Sequence, residues 1–177
     1  MSETTNLRFL VEHEMESYRA HLLRLDEAAM ERRFNQPMDA AALDAHCLQL
    51  TGSGVSILAL QVEGQTRAAA EISPPSDDID VPRELAFSVE RDFQGFGLGT
   101  LLATRAIAEI RPHAAVMYCG ADNGQMLSLA GRLGAEVTVK GGVAMCMVDT
   151  ERRACPREGF READGLSPAI AAFALGR

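Results

Sequence analysis

Glu84-Leu85-Ala86-Phe87-Ser88-Val89-Glu90-Arg91-Asp92-Phe93-Gln94-Gly95-Phe96-Gly97-Leu98-Gly99-Thr100 decides the fold. It reads as a strand, a Gly-rich turn and the start of an amphipathic helix. Such a turn leaves the first N–H groups of the helix unpaired and aimed outward. The helix dipole places partial positive charge at the same point. Together they form a cradle for a phosphate or pyrophosphate.

The flanking sequence sets the context of this unit. Leu7–Val11 reads as a short strand. A helical pattern runs from about Glu14 to Phe34, with Met15, Tyr18, Leu22 and Leu25 on one stripe. Asp26 offers an N-cap for a second helix after a break. Asp39 to Leu50 is a third helix. Val55–Val62 and Thr66–Ile72 flank Glu63-Gly64-Gln65 as a hairpin. A loop with three aspartates and three prolines leads into the strand Arg83–Glu90. The helix Gly97–Ile110 carries Leu98, Leu101, Leu102, Arg105 and Ala106 on its apolar side. Ala114–Gly120 is a buried strand. Asn123–Leu133 is a helix stopped by Gly134, and Glu136–Lys140 with Val143–Val148 closes as a hairpin. This order is a mixed α/β layout, not a βαβ array. Residues 1–149 are expected to form one domain, with 150–177 as a tail.

Composition narrows the function. Apolar residues make up 47% of 177 and charged residues 24%, a globular balance. A net charge of −8 argues against nucleic acid as a partner and fits a substrate bearing an amine, though acidity also serves solubility. Cys47, Cys119, Cys146 and Cys155 lack metal-ligand spacing, so no metal is expected. The start Met1–Asn6 is polar and no apolar run spans a bilayer. A cytoplasmic protein without a membrane partner is the expectation.

The glycines admit several readings. The spacing Gly95-Phe96-Gly97-Leu98-Gly99 does not fit the dinucleotide fingerprint, and no Gly-Lys-Ser/Thr follows for a nucleotide-triphosphate loop. A tight turn without a ligand accounts for the glycines alone. The surrounding residues favour another reading. Gln94 to Gly99 fits Q/R-x-x-G-x-G/A, and Asn123-Gly124-Gln125-Met126-Leu127-Ser128-Leu129-Ala130-Gly131-Arg132-Leu133-Gly134 lies one strand later. Together these resemble the acyl-CoA pyrophosphate loop and second helix of the GNAT acetyltransferases. The wording is most similar to the acetyltransferase domain of bacterial protein-lysine acetyltransferases. The resemblance covers about Val55 to Val148, and the first fifty residues more loosely.

The resemblance implies an α+β fold, with a mostly antiparallel sheet of six or seven strands and about four helices. It implies transfer of an acetyl group from acetyl-CoA to a primary amine by direct attack. The acceptor class stays open among protein lysine, amino acid and small amine, and the state between monomer and homodimer. A non-catalytic acyl-CoA sensor is the alternative. Gln94, Gly95, Phe96, Gly97, Leu98, Gly99 and Thr100 would hold the pyrophosphate. Phe87, Ser88 and Val89 would run beside the pantetheine arm, where the strand parts from its neighbour at a bulge. The Val89 N–H would polarise the thioester carbonyl, and Asn123 would contact the arm. Glu84 is the first candidate general base and Glu71 the second. The family's helix tyrosine is replaced by Ala130, and neither Tyr18 nor Tyr118 fits that role. Ser128 reads as helix surface and Cys119 as a core residue. His13, His21, His46 and His113 read as scattered surface or helix residues, with no partner pattern for covalent catalysis.

Overall fold

The computed structural model describes residues 5–150. The tail expected over residues 150–177 lies outside the described residues except for Thr150. That hydroxyl meets the backbone carbonyls of Pro112 and His113 at 3.2 and 2.9 Å.

Seven strands form one sheet: β1 (Thr5–Phe9), β2 (Ser56–Val62), β3 (Gln65–Ile72), β4 (Arg83–Val89), β5 (Ala115–Gly120), β6 (Glu136–Lys140) and β7 (Val143–Val148). Their order is β1-β2-β3-β4-β5-β7-β6. Every pairing is antiparallel except β4 with β5. Five α-helices accompany them: α1 (Met15–Leu23), α2 (Glu27–Phe34), α3 (Ala40–Leu50), α4 (Leu98–Ile110) and α5 (Gly124–Arg132). These are the five helices read from the sequence, one more than the family's about four, with the first helical stretch broken before Asp26. The Asp26 carboxylate accepts from the Ala29 N–H, and Asp39 caps α3 through the Ala42 N–H.

Local chemistry accounts for the element ends. Glu63 and Gly64 both take positive φ, the two-residue turn that suits the right-handed twist of a hairpin. β1 lies two residues earlier than expected. Its register against Leu58–Val62 uses Thr5–Phe9, and a turn of 3-10 helix already begins at Glu12. The pairing of β2 with β3 slips between Leu60 and Gln61, leaving Arg67 as the extra residue of a bulge.

The sheet separates two cores. Ala68 and Ala70 face α4 and α5, with Leu58, Leu60, Ile72 and Leu85. Ala69, between them, faces α1–α3 with Ile57, Tyr18, Leu22 and Leu43. This alternation is the strand period of two. Leu98, Leu102, Ala103, Ala106, Ile107 and Ile110 form the buried side of α4. Arg105 lies off this stripe, contrary to expectation, and pairs with Glu109 at the surface.

Two carboxylates tie α1–α3 to the sheet. Glu71 on β3 receives the Tyr18 hydroxyl, His46 Nε2 at 2.7 Å and the Arg33 guanidinium at 2.7 Å. Glu90, just past β4, receives His21 Nδ1 at 3.0 Å, Arg24 Nε at 2.9 Å and Arg67 Nη1 at 2.9 Å. Burial alone would raise both carboxyls. For Glu71 the His46 hydrogen bond and the Arg33 charge overcome it, and for Glu90 the bonds from His21, Arg24 and Arg67 do. Each is held at about 2.

Two outcomes are expected. A carboxyl lowered on folding stabilises the fold above its ordinary value, and that stabilisation is lost as pH falls through the folded value. The melting temperature should hold down to about pH 4.5, fall toward pH 2, and fall less steeply in Glu71→Gln. Glu71→Ala leaves Arg33 buried without its anion and should cost about 3–5 kcal/mol in urea denaturation.

Candidate active site

The site begins where two strands stop pairing. β4 and β5 are in register only at Arg83 with Ala115 and Glu84 with Val116. Beyond Glu84 the strands part. On its other edge β4 stays paired to β3 through Val89, with Ala68–Ile72 opposite Val89–Leu85 and no slip. The expected bulge in β4 is therefore not needed: divergence of β5 alone opens the gap. Ser73 N–H reaches Glu84 O and Glu90 N–H reaches Arg67 O, so the even residues of β4 turn their backbone toward β3. Alternation turns the N–H and C=O of Phe87 and Val89 into the gap.

A cavity of about 490 Å³ occupies this gap. Phe87, Ser88 and Val89 line one side and Tyr118 and Cys119 of β5 the other. The Gly95–Thr100 turn and α5 close it on one face of the sheet, and Ala29, Arg32 and Arg33 of α2 on the opposite face. It thus runs through the sheet, with the Gly-rich turn at one mouth and α2 at the other.

The turn has the geometry of an anion cradle. Gly95 and Gly97 take φ of +84° and +82°, which side chains with a Cβ adopt only under strain. Gly97 precedes α4, and no side chain caps that helix start. A Cβ at Gly95, Gly97 or Gly124 would meet nothing within 4 Å, so the approach to the backbone is open. Gln94 departs from its expected role: its Nε2 donates to the Val89 carbonyl at 3.0 Å. Gln94 still lines the cavity, whereas the Phe96 side chain packs against the core. Thr100 does line it, with Arg132 Nη1 at 3.5 Å from its hydroxyl. Asn123 combines two roles: its Oδ1 accepts from the Met126 N–H at 3.1 Å, capping α5, and it lines the cavity.

The two candidate bases sit apart from this wall. Glu71 is locked by its three donors and faces α1–α3. Glu84 is exposed, at the last residue of β4 paired with β5. Its side chain shares the face of Ser88 and lies about 13 Å from it along the strand. Among the lining residues there is no Asp or Glu, but there are three arginines: Arg32, Arg33 and Arg132. Ala130, at the position of the family tyrosine, is buried in the core. Tyr118 lines the cavity from β5, and Ser128 is both exposed and part of the lining. Cys119 is core as expected, and burial pushes its thiol up to about 11, far from a thiolate at neutral pH.

Two of the histidines read as surface or helix residues lie on helices but turn inward to partners. His21 is fully buried between Glu90 and Ser88, with Nε2 at 2.8 Å from Ser88 Oγ. His46 binds Glu71. Sixty-seven residues separate His21 from Ser88. The signal available was the α1 stripe: His21 falls three residues after Tyr18 and next to Leu22, on the side that packs inward. Arg33 carries no such signal, because a charged residue in a helix normally faces water.

Comparison with protein-family profiles and with curated sequences gave no match. Comparison with solved structures did. The GNAT domain of S. lividans PAT superposes with a TM-score of 0.68 at 17% identity, over 83% of this chain and 90% of that one. The Salmonella typhimurium protein YncA, solved with its cofactor acetyl-CoA, gives 0.59 at 21% identity, over 88% and 99%. RimL, a ribosomal L7/L12 alpha-N-protein acetyltransferase solved with coenzyme A, gives 0.60 at 15% identity, over 83% and 96%. At these identities what is shared is architecture: the seven-stranded sheet parted between β4 and β5, with a glycine turn at the mouth of the gap, is the GNAT fold.

Proposed function

We propose that the chain is an N-acetyltransferase that moves an acetyl group from acetyl-CoA to a primary amine by direct attack. The observation that carries this is the through-sheet cavity between β4 and β5, with an uncapped helix start at one mouth. A pyrophosphate fits the N–H groups of Gly95 to Thr100, and Arg132 adds positive charge beside Thr100. An amide-bearing arm fits the backbone edge left at Phe87 and the Val89 N–H, as an added strand would. Solved neighbours of this fold hold acetyl-CoA and coenzyme A.

In this reading the Val89 N–H faces the thioester carbonyl and supplies the donor that stabilises charge on its oxygen. The Gln94 amide, fixed on the Val89 carbonyl, keeps that peptide in place. The acceptor enters from the α2 mouth, past the arginines. Glu84, exposed on the same face, takes a proton from the incoming ammonium, since only the neutral amine attacks. Glu71 serves not as a base but as the anion that holds Arg33. No residue cluster suited to a metal is found among the described residues, and the reaction as drawn uses none.

Acetyl-CoA at one hundred times its dissociation constant should stabilise the fold by about 2.7 kcal/mol, read as a rise in melting temperature. Gly97→Asp strains the backbone at its φ of +82° and puts negative charge in the cradle, so the rise should vanish. A wild type that does not respond to acetyl-CoA would end this reading. Glu84→Gln should lower turnover most near neutral pH and lose less as pH rises and free amine accumulates. The acetyl-CoA response should be unchanged. Undiminished turnover at every pH would remove Glu84 from the mechanism. A sensor without catalysis would show the thermal response and release no thiol with any amine.

A further inference from the structure

Amine acylation releases two protons, and only the first can leave outside the cavity. After attack the nitrogen is positively charged and sits at the acyl centre, where the wall carries no carboxylate. Ser88, however, is part of that wall and adjoins Val89. Its hydroxyl ends a chain of buried groups: Ser88 Oγ to His21 Nε2 at 2.8 Å, and His21 Nδ1 to Glu90 Oε1 at 3.0 Å. We propose that Ser88, His21 and Glu90 form a proton relay that opens into the cavity through the Ser88 hydroxyl and serves the acyl transfer. The inference rests on the acetyltransferase reading above.

The hydrogen-bond roles follow from chemistry. An ionised Glu90 can only accept, so Nδ1 of His21 donates to it. The neutral ring then has its lone pair on Nε2, and the Ser88 hydroxyl donates there. This leaves the lone pairs of Ser88 Oγ to accept a proton. The nitrogen of the adduct gives its proton to Ser88 Oγ while the Ser88 proton passes to Nε2. The carbon–sulfur bond breaks, the carbonyl re-forms, and CoA departs as thiolate. The imidazolium returns its proton through Ser88 to the sulfur. One amide and one thiol result, with His21 neutral again.

The surroundings keep His21 ready for this cycle. Burial lowers its pKa, the Glu90 hydrogen bond opposes that shift, and Arg24 and Arg67 lower it further. The groups facing it are Glu90 and Ser88 from the β4 side, Arg24 from the end of α1, Arg67 from β3, and the Tyr18 ring at 6.2 Å. A neutral ring at neutral pH is the form that accepts a proton. An imidazolium that forms only briefly gives its proton back readily to a thiolate. Ser88 is the catalytic residue of the relay, and His21 and Glu90 act through it.

The test uses the full chain with acetyl-CoA and the fastest acceptor from a panel of primary amines, read by thiol release. Ser88→Ala removes the hydroxyl and keeps the backbone edge. It should lower kcat about 100-fold while the thermal response to acetyl-CoA stays. Ser88→Thr should restore most of the rate. As pH drops below the ordinary imidazole range and His21 protonates, the wild-type rate should fall more steeply than the free-amine fraction, and that extra fall should be absent in Ser88→Ala. If Ser88→Ala turns over within threefold of wild type, or Ser88→Thr is as slow as Ser88→Ala, the relay is refuted while the acetyltransferase reading stands. If acetyl-CoA binds and no amine releases thiol from the wild type, both fall.

Discussion

The rule that buried backbone groups must find partners governs this architecture. β4 meets it on one edge along its length, through an unbroken ladder to β3, and on the other edge for only two residues. From that point the sheet has an internal opening. Something must stand in for the missing ladder. The Gln94 side chain does so at the Val89 carbonyl, and the rest of the edge is left for a ligand. The turn at Gly95–Gly97 follows directly from the parted strand, so the cradle and the gap are set by one stretch of chain.

The second dependence is on buried charge. The face of the sheet that meets α1–α3 carries Glu71 and Glu90 in place of apolar side chains. Glu71 gathers one donor from each of α1, α2 and α3, and Glu90 joins two from α1 and its end to one from β3, which fixes the helices on the sheet in one arrangement. Ion pairs of this kind add little net stability over apolar packing, yet they are costly to break. Their value here is positional. Glu71 sets Arg33 at one mouth of the cavity, and Glu90 sets the His21 tautomer behind Ser88. The bulge at Arg67 belongs to the same arrangement, because the extra residue is the one whose guanidinium reaches Glu90.

Much of this was legible in the residues. The aspartate caps at Asp26 and Asp39, the Glu63-Gly64 turn and the glycine stops are local signals, and the elements they bound came out within a residue or two. The strand–turn–helix from Glu84 to Thr100 carried the fold because glycines packed this closely suit a left-handed turn at a helix start and little else. What stayed hidden depends on contacts between distant segments. No local pattern brings His21 beside Ser88 and Glu90, or takes Arg33 out of water. The Gln94 side chain reads from its motif as a ligand donor, whereas the open Val89 carbonyl uses it for the protein itself. Glu84 matched a strand position, but the register that ends at Glu84 leaves it at the rim. The bulge expected in β4 was replaced by divergence of β5, which no spacing within β4 encodes.

The arginines of the cavity stand against the sign of the molecule as a whole. The chain carries a net charge of −8, while the lining holds three arginines and no carboxylate. A polyanionic ligand therefore meets repulsion at a distance and attraction on contact. Dissolved salt screens the two unequally, since the Debye length is about 10 Å at 0.1 M and the contacts are shorter than that. Moderate ionic strength thus quickens encounter before it weakens holding. By the same reasoning, long anionic polymers are expected to be slowed more than a compact ligand able to place its phosphates inside the mouth.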